Sequence, residues 1–178
     1  LTLQDAAVRS RWTERIAAGQ IVGNAYTERG GNTLGSLNTT LEQRGERWFV
    51  TGEKYYCTGT IYADWVAVAA SHPNLAGRQI ALVSTQRSGV KIYDDWDGFG
   101  QQPTGTGSTT FQDVPVDTLL PEHQQINDPE SAIFQLVLLA VQAGITRASL
   151  NDVRSAVQAR TRTFSTGTGV PIRNEPQV

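Results

Sequence analysis

The sequence is poor in the residues that mark several common protein classes. Its 178 residues include no methionine, one cysteine and two histidines, and charged residues make up 18% of the chain. The single Cys57 excludes an intramolecular disulfide framework and suits a reducing cytoplasm, where we expect the protein to reside. The formal net charge is −2 and no basic run is present, so neither nucleic acid nor an anionic membrane is expected as a partner.

Long hydrophobic runs are also missing. The N-terminus lacks the continuous apolar core of a signal peptide. The most apolar run, Ala132–Ala143, is interrupted by Gln135 and Gln142, and it is predicted to be too short for a membrane span. Because the chain begins at Leu1 and contains no methionine, we expect it to be part of a longer polypeptide.

The residues that are present predict three regions. Apolar residues at helical spacing over Leu1–Ala18 predict the end of an N-terminal helical domain, residues 1–19. Six to eight strand-like segments with no helix between them predict an antiparallel barrel or sandwich over residues 20–121. A long helical pattern from Asp128-Pro129 to about Phe164 predicts the start of a C-terminal helical bundle, residues 122–178.

Individual strands follow from apolar alternation and turn residues. The expected strands are Ile21–Glu28, Thr39–Glu42, Trp48–Thr51 (resumed at Tyr55–Cys57), Trp65–Ala70, Gln79–Ser84, Gly89–Asp94, and a last pair formed by Thr106–Phe111 and Val114–Val116. Arg44–Glu46 reads as a hairpin turn and Gly52–Lys54 as a turn or bulge. The Thr58-Gly59-Thr60 corner would expose hydroxyl and peptide N–H groups at one spot, although most such corners are ordinary turns.

Five motifs, in this order, resemble the acyl-CoA dehydrogenase fold family. They are Tyr26-Thr27-Glu28, Gly52-Glu53-Lys54, Cys57-Thr58-Gly59 with Ala63-Asp64, Gly105–Phe111 with Asp113–Val116, and Arg160–Phe164. The resemblance implies an α+β multi-domain fold with a central antiparallel β-barrel flanked by helical domains. Within this family, the residues at Gly23–Ala25, Tyr56–Gly59 and Asp94–Gly100 resemble those of the flavin-dependent monooxygenases that oxidise sulfur compounds.

The resemblance also implies the site. Thr58 is expected beside flavin N5 and Asn24 facing flavin and oxygen, both in catalytic roles. Trp96 is expected to wall the pocket, and Arg162, or alternatively Arg160, to contact the flavin phosphate. The remaining expected flavin contacts are Tyr26, Thr27, Thr33 and Tyr56. Each residue also has an ordinary structural explanation: turn bonding for Thr58 and Asn24, core packing for Trp96, and a helix-end cation for the arginines.

The implied function is a two-component monooxygenase. Reduced FMN from a partner flavin reductase would react with O₂, and the resulting C4a-(hydro)peroxyflavin would oxygenate a small organosulfur substrate. Asn32–Leu34 departs from the Gly-Ser-Asp of the dehydrogenases, which favours FMN over FAD. Family habit implies a homotetramer or homodimer.

Two alternatives remain open, an FAD-dependent acyl-CoA dehydrogenase and a non-catalytic binding module of the same fold. No spacing of His72, His123 or Cys57 predicts a metal site or a nucleophile, and Cys57 is expected in the core.

Overall fold

A computed structural model describes residues 5–30, 37–121, 129–163 and 169–174. The chain divides into two compact units, residues 1–122 and 123–178. The first unit contains one helix and all the strands of the described residues, and the second contains a long helix.

The first helix, α1, covers one face of the first unit. It spans Ala6–Ala17, and the Asp5 side chain caps it by accepting hydrogen bonds from the N–H groups of Ala7 and Val8. Trp12 is 3% exposed and packs on the sheet through a cluster with residues of β4 (Trp65–Ala70) and β5 (Gln79–Ser84). The helix therefore belongs to the same unit as the strands, and the division into domains at residue 19 stays a prediction.

The first sheet has the order β1-β4-β5-β8, with β1 at Val22–Ala25 and β8 at Thr118–Pro121. The β4 strand pairs antiparallel with β5, and β5 pairs antiparallel with β8. The β1 strand pairs parallel with β4. The sheet is therefore mixed, and the expectation of purely antiparallel pairing is wrong for β1.

The second sheet has the order β2-β3-β7-β6, all antiparallel. Its strands are β2 (Thr40–Arg44), β3 (Arg47–Lys54), β6 (Val90–Ile92) and β7 (Thr109–Pro115). The β2–β3 hairpin turns at Gly45 and Glu46, as its sequence predicts.

The core fills the space between the two sheets. Val50, Val66, Val83 and Phe111 belong to one buried cluster that takes residues from both. Isolated bridges join Thr27 to Tyr55 and Thr40 to Ser71, so hydrogen bonds connect the sheets at one edge. Cys57 is 1% exposed and lies in this cluster, which confirms its predicted burial.

Three local predictions are wrong. The chain leaves the sheet after Lys54, apart from the bridge at Tyr55, so Tyr55–Cys57 is not a strand. The Gly52–Lys54 segment is part of β3, and the irregularity lies just before it, between Val50 and Gly52. The β7 strand runs continuously from Thr109 to Pro115, because Asp113 takes a left-handed conformation (φ 53°) that forms a bulge rather than a turn.

The second unit is dominated by α2, which spans Pro129–Ala159. The sequence predicts its start, whereas its end comes earlier than expected; Asp128 and Phe164 lie outside the described residues. Exposed apolar side chains occupy much of its surface: Ile133, Phe134, Leu136, Val137, Leu138, Leu139, Val141, Ile145, Leu150 and Val153. Membership in a helical bundle stays a prediction.

By length and composition alone, α2 passes the test for a membrane-spanning helix over Ala132–Ala159. The run Ala132–Ala143 considered from the sequence is only part of this helix, and the expectation of no membrane partner stays a prediction. A single helix of this kind is weak evidence, since core helices pass the same test.

Candidate functional site

The Thr58 corner lies where the chain leaves β3 and turns toward β4. Tyr56 has a left-handed backbone (φ 56°), which costs a non-glycine residue on the order of 1–3 kcal/mol. The N–H of Cys57 donates to Gly107 O at 2.8 Å, and the N–H of Gly59 donates to Thr104 O at 3.0 Å. These two bonds fix the corner against the segment that precedes β7, and they leave Thr58 exposed between them.

Three hydroxyl groups form a chain at this corner. Thr58 Oγ1 lies 3.1 Å from Thr106 Oγ1, which lies 2.8 Å from Thr104 Oγ1. Thr104 Oγ1 donates to Gln101 O at 2.6 Å. Thr106 is 9% exposed, so the chain runs from a half-buried threonine through a nearly buried one to the surface.

Asn24 reaches the same corner from β1. Its Nδ2 lies 3.4 Å from Thr58 O, and its backbone oxygen accepts a hydrogen bond from Thr60 Oγ1 at 3.1 Å. A Cβ on Gly23 would lie 2.7 Å from Thr60 Cα, so only glycine lets β1 approach this turn so closely. Gly23 therefore explains why the Asn24 amide and Thr58 are neighbours.

Two aromatic rings stand beside the corner. Tyr56 and Trp96 meet edge to face with their ring centroids 6.0 Å apart, and Trp96 Nε1 donates to Gly100 O at 2.8 Å. Tyr56 is 59% exposed, so its ring is accessible to a ligand. Both rings line a cleft of about 220 Å³ that Thr106 also borders. That volume suits a ring edge or a small substrate rather than a whole nucleotide.

Charged groups of both signs line the cleft. Asp95 accepts hydrogen bonds from the Ser108 N–H and hydroxyl, and these bonds hold the pKa of its carboxyl below the usual value. The Arg29 guanidinium lies 4.1 Å from the centroid of the Tyr55 ring. The cleft therefore offers a cation, the Asp95 and Asp97 carboxylates, and aromatic surfaces.

A buried ion pair lies beneath the corner. Lys54 is fully buried, and its Nζ lies 2.7 Å from Glu28 Oε1 and donates to Tyr26 O at 3.3 Å. Glu28 also accepts hydrogen bonds from the N–H groups of Asn38 and Thr39. Burial alone would raise the pKa of Glu28, but hydrogen bonds led by the one from Lys54 lower it to about 2. Burial lowers the pKa of Lys54 despite its partner.

The structure brings five of the predicted site residues close to one another or to the cleft. Asn24, Tyr56, Thr58 and Trp96 surround the corner, while Thr27 pairs with Tyr55 at the sheet edge. Tyr26 is half-buried and connects through its carbonyl to Lys54. Thr33 lies outside the described residues, and Arg162 is an exposed residue of the second unit. The roles of all these residues stay predictions.

Sequence reasoning missed Thr104, Thr106 and Asp95 as contributors to the site. The sequence Thr104-Gly105-Thr106-Gly107 could have indicated the two threonines, because it repeats the Thr-Gly-Thr pattern of the corner itself. Among the described residues, no group of three His, Cys, Asp or Glu side chains is placed to hold a metal ion.

Two packed four-stranded sheets with a polar corner at one edge define the class of domain. Residues 23–114 match the middle domain of the acyl-CoA dehydrogenases, and the chain belongs to that family. The family resemblance and the fold class inferred from the sequence are thereby confirmed.

The relatives that match this chain include monooxygenases. The chain is 26% identical over 157 residues to a probable FMNH₂-dependent monooxygenase, SfnC, of Pseudomonas putida; the match covers 83% of this chain and 40% of SfnC. It is 28% identical over 158 residues to a dibenzothiophene monooxygenase of Mycolicibacterium goodii, covering 80% of this chain and 38% of that protein. The chain thus spans well under half the length of these relatives.

A solved structure extends the comparison. FMN-bound TdsC from Paenibacillus sp. A11-2 matches with a TM-score of 0.76 and 27% sequence identity, covering 97% of this chain and 47% of TdsC.

Proposed function

We propose that this chain forms the flavin-binding region of an FMNH₂-dependent monooxygenase that oxygenates a small organosulfur substrate or a similar heteroatom compound. The observation that carries the proposal is the Thr58 corner, where the hydroxyl chain, the Asn24 amide and two aromatic rings meet at an open surface. Its support from relatives is the similarity to SfnC, to dibenzothiophene monooxygenase and to FMN-bound TdsC.

The residues present fit one edge of an isoalloxazine ring. A flavin ring needs polar partners along its pyrimidine edge and at N5, together with aromatic cover that excludes water. Thr58 and Asn24 supply the polar partners, and Tyr56 and Trp96 supply aromatic surface beside them. Tyr56 is held by a strained backbone in an exposed position, as expected of a residue placed for a ligand.

Bound reduced FMN would supply the electrons that activate O₂. Asn24 can donate a hydrogen bond at the flavin face without adding a charge, because its amide carries two N–H bonds and a neutral oxygen. Its Nδ2 contact with Thr58 O is long, at 3.4 Å, so reorientation toward a ligand would cost little. Trp96 is anchored through Nε1, which keeps its ring at the mouth of the cleft.

The proposal extends to partners and cellular context. Reduced FMN would come from a separate flavin reductase, and O₂ is the second substrate. We place the protein in the cytoplasm as a homotetramer or homodimer, with Arg162 as the contact to the flavin phosphate and Thr33 as a further flavin contact. FMN is preferred over FAD because two of the related proteins are described as FMNH₂-dependent or FMN-bound.

The test uses the full-length protein with FMN that is kept reduced by a flavin reductase. Dibenzothiophene serves as the probe substrate, and mass spectrometry with isotopically labelled O₂ detects oxygen transfer. We expect labelled product from the wild type, and less of it from Asn24→Ala. Thr110→Val is the matched control, since Thr110 lies in β7 outside the corner. Tightly held FAD with acyl-CoA oxidation would instead establish the dehydrogenase, and no flavin binding in either redox state would leave a binding module.

A further inference from the structure

The hydroxyl chain at the corner has a defined direction. Each threonine hydroxyl has one hydrogen to donate, whereas a carbonyl oxygen can only accept. Thr104 lies 2.6 Å from Gln101 O, so its hydrogen is committed there. The 2.8 Å contact between Thr104 and Thr106 therefore uses the hydrogen of Thr106. The 3.1 Å contact between Thr106 and Thr58 in turn uses the hydrogen of Thr58.

The other neighbour of the Thr58 hydroxyl leads to the same conclusion. Tyr56 O lies 3.5 Å from Thr58 Oγ1, and it is also a pure acceptor. Whichever partner Thr58 uses, its hydrogen points into the protein. Only lone pairs of Thr58 Oγ1 then face the open side of the corner, so this hydroxyl accepts a hydrogen bond from a ligand and does not donate one.

The oxidised and reduced forms of a flavin differ in the hydrogen bond that their N5 atom can make with such an acceptor. Oxidised flavin has a bare N5 that accepts a hydrogen bond, while reduced flavin carries an N5–H that donates one. On the basis of the proposed function, we propose that Thr104 and Thr106 are positioning residues that hold Thr58 as an acceptor and so make the site bind reduced FMN more tightly than oxidised FMN. An enzyme that takes reduced flavin from a separate reductase gains from this preference, because the spent oxidised cofactor leaves more easily.

The backbone around the chain keeps its direction fixed. Gln101 and Gly105 take left-handed conformations on either side of the short 3₁₀ turn Gln102–Thr104. The backbone carbonyl oxygen of Thr104 accepts a hydrogen bond from the Gly59 N–H. This bond ties the segment that carries Thr104 to the corner itself. A hydroxyl held this way cannot turn over without breaking the 2.6 Å bond to Gln101 O.

The decisive substitution is Thr104→Val. It removes the acceptor that takes the hydrogen of Thr106, which then turns to Thr58 Oγ1. Only the long 3.5 Å contact with Tyr56 O would then hold the Thr58 hydrogen inward, so Thr58 can donate outward to a ligand. We expect the ratio of oxidised to reduced FMN dissociation constants to fall by about 3- to 10-fold, the effect of one neutral hydrogen bond. The two-electron midpoint potential of bound FMN should fall by the equivalent, about 14 to 30 mV.

The matched control at the same position is Thr104→Ser, which keeps the hydroxyl and should keep the wild-type ratio. Thr110→Val, away from the corner in β7, should also leave it unchanged. Thr106→Val provides a second interruption of the chain, and it should lower the ratio as Thr104→Val does. Both dissociation constants are measured anaerobically on one sample, by equilibrium dialysis, so that partial unfolding cancels in the ratio.

The outcomes separate this inference from the proposed function. Tighter binding of reduced FMN by the wild type, lost in both valine variants and kept in Thr104→Ser, supports it. A wild type that prefers oxidised FMN, or a ratio that neither valine variant changes, would overturn it while leaving the flavin site in place. If the wild type binds FMN in neither redox state, the proposed function itself fails, and the inference fails with it.

Discussion

Lys54 and Thr58 lie four positions apart in the chain, yet their polar side chains face opposite environments. The Lys54 ammonium is fully buried, with Glu28 and Tyr26 O as its partners. The Thr58 hydroxyl is exposed, and its lone pairs remain available on the open side. The first arrangement is a closed internal pair, and the second is open to a ligand. Two polar side chains in one short segment thus differ in role: Lys54 stabilises the fold, and Thr58 is accessible to a ligand.

The Lys54–Glu28 pair connects three segments: β3, the chain after β1, and the residues that precede β2. Glu28 accepts hydrogen bonds from the Asn38 and Thr39 N–H groups while it pairs with Lys54. The segment after β1 begins at Tyr26, directly after the strand that carries Asn24. The buried pair therefore holds these three segments together through Tyr26, Asn38 and Thr39.

The largest expected effect comes from breaking the buried pair with Lys54→Met. Removing one partner leaves the Glu28 carboxylate buried without its cation, which typically costs about 3–5 kcal/mol. Denaturant unfolding of the full-length protein measures the loss. The double variant Lys54→Met with Glu28→Gln should recover part of it, and equal losses in the single and double variants would contradict the assignment.

Acid should weaken the same pair. Because the folded pKa of Glu28 lies near 2, below the ordinary value of 4.5, its stabilisation is full at neutral pH. It is lost as the pH falls from about 5 to about 2, with a total of about 3 kcal/mol. Unfolding free energies measured across this range should decline less steeply in Glu28→Gln than in the wild type. Parallel pH profiles in the two proteins would exclude Glu28 as the cause.

At the open corner, Thr58→Val should weaken ligand binding and leave stability nearly unchanged, in contrast to the large loss of stability expected for Lys54→Met. We expect about a 10-fold loss of affinity for reduced FMN, equal to one hydrogen bond to the ligand. The change in unfolding free energy should stay within about 0.5 kcal/mol, since the residue is exposed. Anaerobic binding and denaturant unfolding are compared on the same preparations. A large loss of stability with unchanged affinity would place Thr58 with the structural residues.

The smallest effect concerns the strained backbone of Tyr56. Glycine tolerates its φ of 56° without a steric penalty, but it costs more conformational entropy. Tyr56→Gly should therefore change stability by about 0.5 kcal/mol or less, toward a gain, while reduced FMN affinity falls about 3-fold with the lost ring. Tyr55→Gly, at a position with ordinary backbone geometry, should destabilise instead. Thermal unfolding and FMN titration together distinguish a residue kept for ligand binding from one kept for packing.

The sequence predicted some elements to the residue. β4 and β5 have the bounds predicted for them, because both are built around apolar runs that are buried over nearly their whole length. The β2–β3 hairpin and the start of α2 at Pro129 follow from local turn and capping chemistry. The fold class followed from five short motifs, each recognisable without knowledge of its neighbours in space.

Other features depend on partners that are distant in the chain. The last predicted strand pair is one strand, because Asp113 lies in a bulge opposite β3, where its N–H donates to Thr51 Oγ1. The strand predicted at Tyr55–Cys57 failed because Cys57 bonds to Gly107 instead of to a strand. The parallel pairing of β1 with β4 likewise rests on the close approach of Gly23 to Thr60.

By itself, the sequence predicted a β-domain of barrel or sandwich type and its long following helix, and the family resemblance added the candidate residues Asn24, Thr58 and Trp96. Burial patterns and turn chemistry are local, so they can be read along the chain. Only the tertiary structure decided that Lys54 is buried against Glu28 and that Thr104, Thr106 and Thr58 join their hydroxyl groups in one chain. The direction of a hydrogen bond depends on which groups meet in space, and the order of residues along the chain does not fix this.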